Sequence, residues 1–182
     1  MKEIVVKEVV LPENIEAEVK GNKIHLKGTL GNAEREFLIE SIVIQKADKK
    51  IIVKCGKATK REKKLIGTIV AHIKNMIKGL ETPFEYKLQI CSVHFPISAS
   101  VNLSKDLVII KNFLGETNER RAKILPNVDV KIHHDIITVT STDKEAAAQT
   151  AANMETATKI KSRDRRIFQD GIFITEKPGK KI

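Results

Sequence analysis

The chain has 182 residues, a mass of 20.4 kDa, a formal net charge of +10 and a sequence pI near 9.6. Apolar residues make up 41%, enough to bury a core, which excludes a disordered chain. No run approaches the ~18 uninterrupted apolar residues of a membrane span, Met1-Lys2-Glu3-Ile4 lacks a signal-peptide layout, and Cys55 and Cys91 are too few for a disulfide scaffold and fit a reducing cytoplasm.

The charge is uneven. Residues 1–80 carry a net +7, residues 81–158 a net −2 and residues 159–182 a net +5. The densest patch of the first half is Lys54, Lys57, Lys60, Arg61, Lys63 and Lys64 against the single acid Glu62. Clustered cations of this kind suit phosphates, because each neutralised phosphate releases counterions.

In chain order, Ile15, Ala17 and Val19 alternate with charged residues, Gly21-Asn22 breaks the run, and Ile24 and Leu26 alternate again, which predicts a hairpin. Further strands are expected over 36–39, 42–44 and 51–53. Thr59-Lys60-Arg61-Glu62 reads as a capping box: the hydroxyl accepts from an orphan N–H and the carboxylate reaches back. Leu65, Ile66, Ile69, Val70, Ile73, Met76 and Ile77 follow at helical spacing, predicting a helix over about 60–78 with Gly79 as its stop.

The second half runs in the same order. Strands are expected at 97–101, 107–110, 122–125, 128–132 and 136–139. Thr142-Asp143-Lys144-Glu145 reads as a second capping box. Ala146, Ala147, Ala148, Ala151, Ala152, Met154, Ala157 and Ile160 then predict a helix with a small-residue face that packs closely. Ile15 and Ile97 lie 82 residues apart, Gly31 and Gly115 lie 84 apart, and Ile51 and Ile136 lie 85 apart.

The chain therefore reads as a duplication of α+β class: two tandem similar domains, each a small, mostly antiparallel β-sheet packed with one α-helix. The expected divisions are 1–82, an N-terminal repeat; 83–174, a C-terminal repeat; and 175–182, a basic tail ordered by a partner.

No cofactor or metal is expected. His133-His134-Asp135 sits at a strand edge where neighbouring side chains diverge, and the cysteines lack metal spacing and are expected to pack as small apolar groups. No nucleophile, phosphate-loop or dinucleotide motif is present, so an enzyme has no residue to stand on.

Lys159, Lys161, Arg163, Arg165 and Arg166 are better candidates. They follow the second helix, with Ile167, Phe168, Ile172 and Phe173 as expected anchors and Asp170-Gly171 as a tight turn. Arginine forks onto phosphate in two-point geometry. Six Phe, one Tyr and no Trp argue against a stacking platform and for a folded RNA read by shape and backbone.

Three motifs carry a family resemblance. They are Phe84-Glu85-Tyr86-Lys87-Leu88 with His94-Phe95-Pro96, Asn112-Phe113-Leu114-Gly115-Glu116, and Arg166-Ile167-Phe168-Gln169-Asp170-Gly171-Ile172. Together, in this order and frame, they resemble the family of the sixth protein of the large ribosomal subunit, in its archaeal and eukaryotic branch. Ser92 and Phe173 stand where many members have Tyr.

The resemblance implies a cytoplasmic, non-catalytic ribosomal protein with two α+β domains. It implies binding to large-subunit ribosomal RNA near the stalk base and the sarcin–ricin loop, with neighbouring ribosomal proteins and translational GTPases close by. The second half and tail would supply the main RNA contacts, which implies roles for Arg163, Arg165, Arg166, Lys177, Lys180 and Lys181. Lys159 and Lys161 join them on charge, as do Lys60, Arg61, Lys63 and Lys64 at the entry to the first helix. The alternatives are a generic basic RNA-binding module or an enzyme on a phosphorylated substrate.

Overall fold

A computed structural model of the chain describes residues 3–182 except Leu38 and Glu40. They form two compact units that divide between Pro83 and Phe84.

In the first unit, β1 (Glu3–Val10), β6 (Lys50–Ala58) and β5 (Val43–Ala47) make one antiparallel sheet with β6 central. A second antiparallel sheet is the meander β2 (Glu16–Lys20), β3 (Lys23–Gly28) and β4 (Gly31–Glu36). Gly21, with φ +61°, supplies the left-handed turn that joins β2 to β3.

Helix α1 (Lys60–Glu81) begins at the predicted capping box. Thr59 Oγ1 accepts from the Arg61 N–H at 3.3 Å, and the Thr59 N–H donates to Glu62 at 2.8 Å. The helix continues past the expected stop, and Gly79 is buried inside it. Its end comes at Thr82, whose N–H donates to Lys78 O, just ahead of Pro83, which disfavours helix in the residue before it. Ile66, Ile69, Ile73, Ile77 and Leu80 form its buried stripe, each worth roughly 1.5–3 kcal/mol of burial. Gly28 permits the helix end to approach β3, since a Cβ there would lie 2.9 Å from Leu80 Cβ.

The second unit repeats this order. β7 (Phe84–Cys91), β12 (Ile136–Ser141) and β11 (Val128–His133) correspond to β1, β6 and β5. β8 (Ser98–Val101), β9 (Leu107–Lys111) and β10 (Arg120–Lys123) correspond to the meander, and α2 (Lys144–Ala157) to α1. The predicted fold class holds: antiparallel sheet with one helix, twice. Each unit divides its strands between two sheets.

The addition is β13 (Gly171–Lys177) with β14 (Lys180–Lys181). β13 pairs antiparallel with β7, which extends the second unit's larger sheet to five strands.

Several expectations shift. The strand expected over 36–39 gives way to β4, which ends at Glu36; Phe37 is buried in the core, and Leu38 lies outside the described residues. Ile136 is exposed and Ile137 fully buried, so Ile51 corresponds to Ile137; one residue of slip in a strand exchanges the two faces. The second helix is capped by Asp143, not Thr142. Its Oδ1 accepts from the Glu145 N–H at 2.9 Å, and a carboxylate there suits the helix dipole. The expected tail is a hairpin, because Gly179 at φ +79° turns the chain back and Glu176 pairs with Lys181.

Helix α2 buries Ala147, Thr150, Ala151 and Met154. These small side chains bury less area than the isoleucine stripe of α1. The helix is also tied by hydrogen bonds, such as the Leu125 N–H donating to Thr150 Oγ1 at 3.2 Å. Cys55 is a buried free thiol, while Cys91 is only half-buried. Among the described residues no helix is long and apolar enough to cross a membrane.

Candidate nucleic-acid interface

The segment between α2 and β13 carries the five cations predicted from sequence. Lys159, Lys161, Arg163, Arg165 and Arg166 are all exposed. Thr158 joins the two ends of this loop. Its hydroxyl donates back to the last turn of α2, at 3.3 Å from Met154 O and Glu155 O, and accepts from the Ile172 N–H at 2.9 Å. Inside the loop, Ser162 takes φ +58°. Asp164 Oδ1 accepts from the Arg166 N–H at 2.9 Å, and Asp164 O accepts from the N–H groups of Ile167 and Phe168 at 3.2 and 3.0 Å.

Asp170 fastens the far end. It is a buried carboxylate rather than a turn residue. Its Oδ1 accepts from the Val93 and His94 N–H groups at 2.7 and 2.9 Å, and its Oδ2 lies 2.6 Å from His94 Nδ1. Burial acts to raise the Asp170 pKa. The hydrogen bonds from His94 and Val93, with the His94 charge, outweigh it and hold the carboxyl below its usual range. The His94 ring stacks on Phe168 with centroids 4.8 Å apart, and the Arg163 guanidinium carbon lies 4.8 Å from the same ring. Phe168 and Ile172 anchor the segment as expected, but Ile167 is 64% exposed.

Arg120 braces the near end. It donates to Ala157 O at 2.8 Å and Lys159 O at 3.3 Å, and it forks onto the Glu116 carboxylate at 2.8 and 2.7 Å. Its guanidinium covers the fully buried Phe113 at 4.2 Å. The Arg120 hydrogen bond lowers the Glu116 pKa, with further help from the Arg120 and Arg163 charges. Asn112 and Leu114 hold left-handed backbone at φ 58° and 52°, and Asn112 Nδ2 donates to Pro96 O at 3.0 Å. His94, Pro96, Asn112, Phe113, Glu116 and the motif over 166–172 thus converge on the base of the basic loop, whereas Phe84–Leu88 lie toward the other end of β7.

The other predicted cations lie elsewhere. Lys177, Lys180 and Lys181 are exposed on the β13–β14 hairpin. Gly171 pairs with Cys91 and Glu176 with Lys87, so the loop and the hairpin sit at opposite ends of β13, roughly 20 Å apart. Neighbouring Lys87 is tied to Glu176 at 3.0 Å and Glu85 at 3.4 Å. Lys60, Arg61, Lys63 and Lys64 are exposed on the first turns of α1, in the other unit.

Beside the basic loop lies an open cleft of about 700 Å³, lined by the end of β7, the last turn of α2 and the start of β13. Among the described residues no group of His, Cys, Asp and Glu is placed to hold a metal, and His133 and His134 are exposed at the end of β11.

Sequence reasoning overlooked Arg120, Thr158 and the Asp170–His94 pair. The latter two residues stood inside recognised motifs, but nothing local linked Asp170 to a partner 76 positions away.

Fold and loop define a class: a tandem α+β protein that displays clustered cations on rigid antiparallel supports. The family model for ribosomal protein L6 matches the chain over residues 11–82 and again over 95–171, one segment in each unit. The large ribosomal subunit protein uL6 of Staphylothermus marinus is 46% identical over 169 residues, covering 92% of this chain and 91% of that protein. The uL6 proteins of Methanobrevibacter smithii and Methanococcus vannielii are 41% and 43% identical, over 93% and 95% of this chain and 94% of each relative. The chain belongs to the ribosomal protein L6 family.

Proposed function

We propose that the protein is a non-catalytic constituent of the cytoplasmic large ribosomal subunit that binds its ribosomal RNA through the second unit. The carrying observation is the loop of residues 159–166, whose five exposed cations are held at both ends by Thr158, Arg120 and Asp170. Cations on a fastened loop lose little freedom when phosphates arrive, so more of each contact appears as affinity. Lys177, Lys180 and Lys181 add a second contact. Lys60, Arg61, Lys63 and Lys64 offer a third: cations at a helix N-terminus oppose its dipole, a cost that phosphate contact would offset.

The family resemblance supports a position near the stalk base and the sarcin–ricin loop. There the protein would brace the region where translational GTPases and neighbouring proteins dock. The relatives are named for the large ribosomal subunit and not for a reaction, which favours this reading over an enzyme on a phosphorylated substrate.

The test is salt titration of binding to large-subunit ribosomal RNA. The logarithm of affinity is expected to fall with a slope of about 0.9 per phosphate neutralised. Replacing Arg163, Arg165 and Arg166 with Ala is expected to weaken binding and flatten that slope. Unchanged affinity and slope would remove the loop from the interface.

A further inference from the structure

We infer that the cleft beside the basic loop receives an unstacked nucleobase of the bound RNA, so that this site reads a base as well as the backbone. The inference rests on the RNA-binding reading above and deepens it. Phosphate contact needs cations alone, yet this cleft has apolar walls. Val93 is 70% exposed at its rim, and Ile160, Phe168 and Phe173 are half-buried along it. Lys159 and Arg165 supply the positive edge.

Gly171 makes room for the Phe173 ring of the lining. It takes φ +155°, and a Cβ there would lie 3.1 Å from the Phe173 ring, so the ring occupies space that only glycine leaves open.

RNA offers one component with apolar faces and a hydrogen-bonding rim, the base itself. Proteins hold splayed bases between aromatic rings, guanidinium planes and polar side chains in this manner. Gln169 lines the cleft and donates its amide nitrogen to Arg166 O at 3.3 Å, which directs its carbonyl oxygen to serve as an acceptor. The Glu155 carboxylate, also in the lining, repels phosphate but accepts from a base N–H. Phosphates on Lys159 and Arg165 with the base inside suit both the cations and this carboxylate. The volume of about 700 Å³ falls within the range of small-ligand sites. The hairpin cations Lys177, Lys180 and Lys181 serve as the comparison, since they line no part of this cleft.

The experiment binds the full chain to large-subunit ribosomal RNA transcribed free of other proteins. Phe168→Leu and Phe173→Leu keep apolar bulk and remove the ring. Each is expected to weaken binding roughly tenfold through lost stacking. The salt slope is expected to stay unchanged for Phe173→Leu, whereas Phe168→Leu also removes the ring that carries His94 and the loop cation Arg163. Arg165→Ala is expected to lower the slope by about one. Ultraviolet cross-linking of the unaltered complex is expected to join a base to the peptide of residues 160–173, and this decides the matter should a variant fail to fold.

Leucine variants that bind like the parent, or cross-links that all fall outside residues 160–173, overturn the base site and leave RNA binding standing. Failure of the parent protein to bind the transcript in a salt-dependent way overturns the RNA reading itself.

Discussion

Removing the Asp170 carboxylate strands the N–H groups of Val93 and His94 in a buried position. Asp170→Ala is therefore expected to cost about 2–3 kcal/mol in denaturant unfolding. Its folded pKa lies below the ordinary 3.8, so the stability it contributes is complete above about pH 4 and is lost as pH falls through the lower, folded value. Asp170→Asn should flatten the acid limb of the stability profile below pH ~4. An acid limb as steep as that of the parent would place the titration elsewhere. Arg120→Lys keeps the charge but loses the fork onto Glu116 and the reach to Ala157 O and Lys159 O. A loss of about 1–2 kcal/mol, with weaker RNA binding at an unchanged salt slope, is the expected pattern. Sequence showed the cations of the loop and missed what fastens them. A charge is visible where it stands, whereas a buried carboxylate reads as Asp-Gly, an ordinary turn signal, until a distant strand brings it two N–H groups.

At the scale of elements, the two helix starts separate what a motif predicts from what the backbone selects. Thr59 and Glu62 close the predicted box on α1. The same pattern at Thr142 and Glu145 is bypassed, and Asp143 caps α2 one position later. Asp143→Ala is expected to cost about 1 kcal/mol and Thr142→Ala well under half of that, measured as shifts in unfolding midpoint. Equal losses would restore the Thr142 box. The helices themselves were readable because their stripes repeat at a fixed period. The strands β1, β7 and β13 lie outside those expected from sequence. Their sequences, such as Phe84–Cys91, alternate cleanly once the burial is known, but β7 pairs with β12 and β13, both far downstream. β1 and β7 have no local hairpin partner and so carry no turn signal to announce them. The terminal hairpin departs from the expected basic tail for a further reason: the chain turns at Gly179 and pairs with itself, Lys177 with Lys180, while the lysine side chains stay exposed.

For the whole molecule, the basic excess resolves into three clusters on separate supports. Two of them stand about 20 Å apart at opposite ends of β13. Sites so far apart are expected to act independently. Combining Lys177→Ala, Lys180→Ala and Lys181→Ala with Arg163→Ala, Arg165→Ala and Arg166→Ala should reduce affinity by the sum of the two separate losses, within about 0.5 kcal/mol in RNA-binding titrations. A much larger combined loss would mean that one RNA element bridges both ends of the strand. The sequence revealed how much charge each half carries, but the distance between the clusters depends on pairing register, which composition does not encode. The same pairing also sets an order of events during synthesis. β1 finds its partner β6 within the first unit, so that unit can close its sheet while the rest of the chain is still being made. β7 opens the second unit yet waits for β12 and then for β13, the long strand that follows every other major element. Until that strand arrives the second sheet keeps an open edge, and the basic loop lacks the Asp170 anchor just before β13. The protein therefore acquires its main candidate RNA-binding surface last, after the body that carries it has already formed.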